Sequence, residues 1–177
     1  MDDDTVKHLV KKAQNGDRDA FEDLLNHIYY EIFKMAFHYC NNQTDAEDIT
    51  QNACIKLARN IDKFNFRSKF SSWLYRLVIN CGHDHVNSTA KHKAGQIHEN
   101  TASASHRLDQ ETYHKQVLDH VNDLPHNEKT ALLLVFAKGL NHAQAAEIME
   151  CKESTVSWYI HEARKKLDAF KNRGIAS

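Results

Sequence analysis

One proline and five glycines in 177 residues are too few for the many tight turns of a β-rich fold. No run approaches the ~20 apolar residues that a membrane span needs. The acidic start, Met1-Asp2-Asp3-Asp4, lacks the basic-then-apolar order of a secretory signal. The four cysteines, Cys40, Cys54, Cys81 and Cys151, form no CxxC pair, as expected of small, reduced, buried residues in a cytoplasmic protein. There is no glycine-rich phosphate loop and no Ser/His/Asp set in a local motif, so the chain is not expected to be an enzyme. Thirteen histidines invite a metal reading. Only Cys81 and His85 fall on a shared helix face, however, and no second pair stands at zinc-like spacing. No metal or other cofactor is expected. Surplus charge is also missing. A formal net charge of −1 contrasts with the basic excess of proteins that hold duplex DNA unaided, so any DNA binding should be weak unless a partner helps.

What the chain does have is helical periodicity from end to end. Asp4 can cap a first helix that stops near Asn15-Gly16, a glycine-terminated end. Asp17 opens a longer helix whose apolar positions Phe21, Leu24, Leu25, Ile28, Ile32 and Met35 recur at helical spacing. Asn41-Asn42-Gln43 breaks it. Thr44 and Glu47 are spaced as a capping box, and the following helix should bury Ala46, Ile49, Ala53, Leu57 and Ile61. A loop over 60–69 leads to a helix from about Phe70 to Asn87. Residues 88–112 are small, polar and aperiodic, which predicts an interdomain linker.

A second helical unit begins near Tyr113. Pro125 sits where a helix-starting proline is expected. Leu132, Leu133, Val135 and Phe136 should carry that helix's core, ended by Lys138-Gly139. Asn141 with Gln144 can cap a short helix to Met149, and a tight connection at Glu150-Cys151-Lys152 leads into a last helix to about Lys171. Its apolar stripe is Val156, Ile160, Ala163, Leu167 and Phe170. Short helix, tight turn and longer helix make a helix-turn-helix layout, whose second helix can enter a major groove.

Three surfaces stand out. Asp45, Glu47, Asp48 and Gln51 are polar groups on the first turns of a helix whose Ala46 and Ile49 point inward. Acidic residues favour helix N-termini through the dipole, so that grouping has a bland explanation as well as a binding one. Phe64, Phe66 and Phe70 punctuate a loop that also carries Lys63, Arg67 and Lys69. Aromatics beside cations suit single-stranded bases, although aromatic core under a solvated face would read the same way. On the helix that follows, Trp73, Leu74, Leu77 and Val78 have the spacing of core. Lys69, Ser72, Arg76, Asn80, His83 and Asn87 form one polar stripe. The third surface is the last helix itself.

Taken in order, Thr44-Asp45-Ala46-Glu47-Asp48-Ile49-Thr50-Gln51, then Phe70-Ser71-Ser72-Trp73-Leu74-Tyr75-Arg76, then Thr155-Val156-Ser157-Trp158-Tyr159-Ile160-His161-Glu162-Ala163-Arg164-Lys165-Lys166-Leu167 resemble the small bacterial sigma factors of the extracytoplasmic-function (ECF) group of the sigma-70 family. The resemblance runs over about residues 6–170. It implies an all-α protein of two small helical domains joined by a flexible linker. These are a region 2 helical bundle at 1–88, the linker at 89–112, and a region 4 helix-turn-helix domain at 113–177. It further implies that Asp45, Glu47, Asp48 and Gln51 dock on a coiled coil in the largest subunit of core RNA polymerase. Phe64, Phe66, Arg67, Lys69, Ser72, Arg76, Asn80, His83 and Asn87 would capture the non-template strand of the promoter −10 element, with a flipped base in the loop before the helix. Ser154, Thr155, Ser157, Trp158, His161, Arg164 and Lys165 would face the −35 element, with one of Trp158 and Tyr159 expected to be buried.

The sequence also departs from the family pattern. Asn52 and Cys54 stand where an acidic residue and a phenylalanine are usual, and Asn87 where a base is common. Ser157, Trp158, Tyr159 and Glu162 replace a lysine, a serine and two arginines, and each lost cation removes about one phosphate's worth of salt-dependent affinity. The implied partners are core polymerase, promoter DNA and an anti-sigma protein, with no membrane insertion. Two other readings stay open: an autonomous helix-turn-helix regulator, and an interaction protein that has lost promoter recognition.

Overall fold

The computed structural model describes residues 3–95 and 120–174, with side chains for 3–89 and 120–170. Among the described residues every regular element is helical. The N-terminal unit comprises α1 (Asp3–Gln14), α2 (Arg18–Cys40), α3 (Gln43–Asn60), a 3₁₀ turn (Ile61–Lys63) and α4 (Phe70–Gly95). The C-terminal unit comprises α5 (His126–Leu132), a π-helical turn (Leu133–Ala137), α6 (His142–Met149) and α7 (Glu153–Gly174), preceded by helical residues 120–122.

Most helix ends follow the capping logic, but Asp4, expected to cap the first helix, lies inside α1, which begins at Asp3. Gly16, at φ 86, turns the chain after α1, and the Asp17 carboxylate accepts from the Ala20 N–H at 3.0 Å to start α2. The capping box expected of Thr44 and Glu47 does not form. Asn42, extended at φ −143, caps α3 instead and accepts from the Asp45 N–H at 3.0 Å. Thr44 thus lies inside the first turn, and Glu47 accepts from Gln43 Nε2 at 3.0 Å. An asparagine two residues earlier satisfies the free N–H groups first. Asn141 and Gln144 do form a reciprocal capping box at α6.

The core of the N-terminal unit is where the apolar spacing put it. Leu24, Ile28, Ile32 and Met35 of α2 face Ala46, Ile49, Ala53 and Leu57 of α3, with Ile61, Leu74 and Val78 closing the stack. Each fully buried aliphatic side chain of this kind contributes about 1.5–3 kcal/mol relative to exposure. Gly82 lies in the middle of α4 against Tyr39, and a Cβ there would sit 2.6 Å from the Tyr39 ring. The glycine therefore sets how closely α4 approaches α2. Helix α4 continues to Gly95, past the expected end at Asn87 and into the stretch read as linker. Residues 96–112 of that linker and 113–119 of the following helix lie outside the described residues.

In the C-terminal unit Phe136 departs from its expected core role and is 57% exposed, while Leu134 is fully buried. The π turn explains both. Lys138 N–H reaches back to the Leu133 carbonyl at 3.1 Å, and the extra residue in the turn rotates the side chains after it off the 3.6-residue register. Val156, Ile160 and Ala163 of α7 are buried; Leu167 and Phe170 are only partly so.

The two units do not stand apart. Most of their buried residues form one continuous apolar cluster, α4 packs against α6, and polar contacts ring that seam.

Candidate nucleic-acid and protein interfaces

Helix α3 presents Glu47, Asp48 and Gln51 to solvent, opposite its buried Ala46, Ile49, Ala53 and Leu57. Asp45 differs from them: it is half-buried and its Oδ1 lies 3.0 Å from His85 Nε2 on α4. Asp45 thus ties α3 to α4 as well as belonging to the acidic group. Sequence spacing missed Ile55, which is 43% exposed and four residues beyond Gln51 on the same side. The available signal was an isoleucine off the buried stripe. Tyr29, Tyr30 and Phe37 of α2 are also exposed, with the Lys34 ammonium over the Tyr30 ring at 4.6 Å.

The loop before α4 divides the three phenylalanines. Phe64 and Phe70 are buried and, with Trp73, make an aromatic nest: Phe64 lies 5.4 Å from Phe70 and 5.6 Å from Trp73. Phe64, read from sequence as a stacking platform, is core: its ring packs on Phe70 and Trp73, and Gln14 Nε2 donates to its carbonyl at 2.7 Å. Phe66, at φ 59, is half-exposed beside it. Arg67 and Lys69 are exposed, with Asp3 3.6 Å from Lys69 Nζ. A cavity of about 490 Å³ opens here, lined by Phe66, Ser68, Lys69, Phe70, Ser71 and the acidic Asp3 and Asp4 of α1.

Along α4 the polar stripe is partly occupied. Ser72 is half-exposed, and Asn87 Nδ2 lies 3.1 Å from His83 Nε2. Arg76 Nε donates to the Ile148 carbonyl at 2.8 Å and Nη2 to the Glu147 carbonyl at 2.7 Å, while Nη1 pairs with the Glu150 carboxylate. The His83 and His126 rings meet at a tilt of 36°, with centres 4.0 Å apart. His126 Nδ1 in turn lies 2.8 Å from Tyr39 Oη. Burial, with His83 and Lys129 adjacent, pushes the His126 pKa down to about 4. Burial likewise pushes Lys129 down to about 8, its ammonium lying over the Tyr39 ring at 4.4 Å.

Helix α7 lies open. Trp158 is 55% exposed, and Ser154, Ser157, His161, Arg164 and Lys165 are exposed with it; Thr155 is half-buried. Tyr159 is the more buried of the two aromatics and accepts from Asn127 Nδ2 at 3.1 Å. Ser157 Oγ is already engaged, 2.8 Å from His142 Nδ1 and donating to the Glu153 carbonyl. Arg164 is held over the Phe136 ring at 5.1 Å. A tryptophan, a histidine and a lysine therefore stand on the outer face of a second helix that follows a short helix and a tight turn.

That geometry has a counterpart among known proteins. The Sigma-70 region 2 family matches residues 24–92, and the Sigma-70, region 4 family matches residues 114–167. The chain belongs to the ECF group of the sigma-70 family. Relatives are similar over nearly their whole length. The ECF RNA polymerase sigma-E factor of Haemophilus influenzae is 28% identical over 93% of this chain and 94% of that protein. The ECF RNA polymerase sigma factor SigW of Bacillus subtilis is 26% identical over 92% and 94%. Among solved structures, CnrH in complex with the cytosolic domain of CnrY shares the fold at TM-score 0.68 and 20% identity, covering 97% of this chain and 99% of that one. The sigma factor RpoE of Bartonella quintana, solved with the anti-sigma factor NepR, shares it at TM-score 0.63 and 21% identity, over 86% and 96%. Region 2 thus takes in α3, the loop and most of α4, and region 4 takes in α5 to most of α7. As a sigma factor the chain serves promoter-directed transcription initiation. No helix among the described residues is long and apolar enough to cross a membrane.

Proposed function

We propose that this sigma factor holds core RNA polymerase through the outer face of α3 and reads promoter DNA at two places. Glu47, Asp48 and Gln51, with Ile55 as an apolar anchor, would meet the coiled coil of the largest subunit. Asp45 would contribute at the edge while it positions α4. The loop and α4 would take the −10 non-template strand. Phe66 would stack a base, the 490 Å³ cavity beside Lys69 would receive an extruded one, and Arg67, Lys69, Ser72, Arg76, Asn80, His83 and Asn87 would follow the backbone. The N-terminus and outer side of α7, through Ser154, Thr155, Ser157, Trp158, His161, Arg164 and Lys165, would enter the −35 major groove. The working domains would be 1–88 and 113–177. The chain would make no bond itself, since phosphodiester formation belongs to the polymerase, and would act in the cytoplasm.

The observation that carries this reading is that an exposed acidic face on α3 and an exposed aromatic-basic face on α7 occur on one chain in the order of regions 2 and 4. Near-neutral charge fits it too, because two weak DNA contacts become effective once tethered to one large enzyme. An anti-sigma protein is a further proposed partner, supported by the complexes in which the similar CnrH and RpoE were solved.

Size-exclusion chromatography of the full chain with core polymerase tests the reading. Wild type should co-elute stoichiometrically, and Asp48→Ala/Gln51→Ala should not. Asp45 is left intact in that variant because its contact with His85 would confuse loss of binding with loss of packing. A folded wild type that fails to co-elute would remove the sigma assignment of α3 and favour an autonomous regulator.

A further inference from the structure

The outer face of α7 is a single stripe. Ser154, Trp158, His161 and Lys165 follow one another at steps of four, three and four residues, so they share one side of the helix. All four are exposed, and Val156, Ile160 and Ala163 hold the opposite side in the core. Three of the four are polar. Only Trp158 is large and apolar, and it is the sixth residue of the helix that begins at Glu153. A lone exposed aromatic is ordinary on a protein surface. What singles this one out is its place, because the first turns of the second helix in a helix-turn-helix are the part that reaches base edges.

The indole is also backed by its neighbour. Tyr159 lies beside it with ring centres 5.3 Å apart, and the Tyr159 hydroxyl is tied to Asn127 Nδ2 at 3.1 Å. One aromatic is anchored to the domain, and the other projects from it at 55% exposure. Apolar surface of that size gains most when it meets an apolar partner. In the major groove that partner is the C5-methyl of thymine, whereas cytosine carries no methyl and offers an amine.

The polar side chains that could select a different base are engaged or distant. Ser157 Oγ lies 2.8 Å from His142 Nδ1 and donates to the Glu153 carbonyl. Arg164, a residue type that takes guanine through two hydrogen bonds, is held over the Phe136 ring at 5.1 Å. Lys165 stands about 10 Å further along the axis than Trp158, past the turns that meet base edges. At the entry end the exposed Glu153 carboxylate can only accept, which suits cytosine and supplies the rival reading.

We propose that Trp158 is the specificity-determining residue of α7: its indole packs on the C5-methyl of one thymine in the −35 major groove, and the chain selects that base by apolar contact. The proposal rests on the placement of α7 in that groove. A cation at this position would favour guanine; the tryptophan replaces that demand with one for a methyl group.

The test reconstitutes holoenzyme from the full chain and core polymerase and challenges it with a duplex pool randomised across the −35 and −10 windows. Thymine should be enriched at one −35 position. Trp158→Ala holoenzyme should lose the enrichment there and keep it at neighbouring positions, and Trp158→Phe should retain part of it. On the selected duplex, deoxyuridine in place of that thymine removes the methyl alone. It should weaken wild type by roughly fourfold and leave Trp158→Ala unchanged. Conversely, 5-methylcytosine should outbind cytosine at that position only in wild type. A thymine preference that survives Trp158→Ala, or wild-type binding indifferent to deoxyuridine, overturns the proposal while leaving α7 in the groove. Cytosine enriched there and lost with Glu153→Gln overturns it in favour of the carboxylate. A pool with no −35 enrichment removes α7 from the groove, and overturns both the proposal and the placement beneath it.

Discussion

The two surfaces proposed to meet DNA are built oppositely. On α7 the outward face is open, with Trp158, His161 and Lys165 in solvent. Its engaged side chains, Ser157 and Arg164, are held within the same helix-turn-helix unit. On α4 the corresponding residues are engaged across a domain seam, Arg76 by α6 and His83 by His126. One face is open as folded, and the other is occupied by side chains of the chain itself.

The sharpest way to break this contrast is at Gly82. A Cβ at this position would sit 2.6 Å from Tyr39, the residue that also carries His126 and Lys129 across the seam. Gly82→Ala should force α4 away from Tyr39 at a cost of about 1–3 kcal/mol, more than the helix propensity that alanine gains there. The expected result is a lower thermal midpoint and a loosened seam, read by calorimetry and by amide exchange in α5.

A smaller, more selective effect belongs to α7. Trp158→Ala should leave stability within about 0.5 kcal/mol, since the ring is exposed. It should weaken holoenzyme binding at a promoter duplex by roughly tenfold, the scale of losing one good base contact. Unchanged promoter binding would mean that α7 meets DNA through its cations alone.

The third prediction concerns pH. His126 is held neutral in the closed chain, its pKa lowered from the ordinary 6.5 to about 4 by burial. The groups facing it are Tyr39 from α2, His83 from α4 and Lys129 from its own helix, with Arg76 and Glu150 sharing the adjoining cavity. A depressed histidine stabilises the closed form fully above pH 6.5. That contribution fades as pH falls from there toward 4, because the open form takes up the proton. Acidifying from pH 7.5 to 5.5 should therefore favour opening of the seam by roughly tenfold, followed by scattering or fluorescence transfer across it. His126→Gln should flatten that dependence, while the exposed face of α7 should show no comparable change.

Much of this molecule was legible in the sequence because the readable parts are local. Apolar spacing identified the buried faces of α2, α3 and α7, since a helix must turn its 3.6-residue stripe inward. Asp17 and the Asn141–Gln144 pair signalled their helix starts because a cap is a contact over three residues. The misreadings share a different cause. Phe136 moved outward through a π turn, which no periodicity count anticipates. Thr44 lost the cap to Asn42, because two capping residues in tandem compete for the same N–H groups. Phe64 became core because the folded loop packs its ring on Phe70 and Trp73 of α4.

The sequence by itself determined the class of fold, the two helical units and the family, since each rests on residues within one helix or one turn of each other. Tertiary structure alone decided which polar residues are available. Arg76 and Lys165 look equally free in a linear stripe, yet one caps a distant helix and the other stands in water. Availability depends on what packs against a face, and that is settled by contacts between residues some 70 positions apart, as from Arg76 to Glu147 and Ile148, which no local pattern encodes.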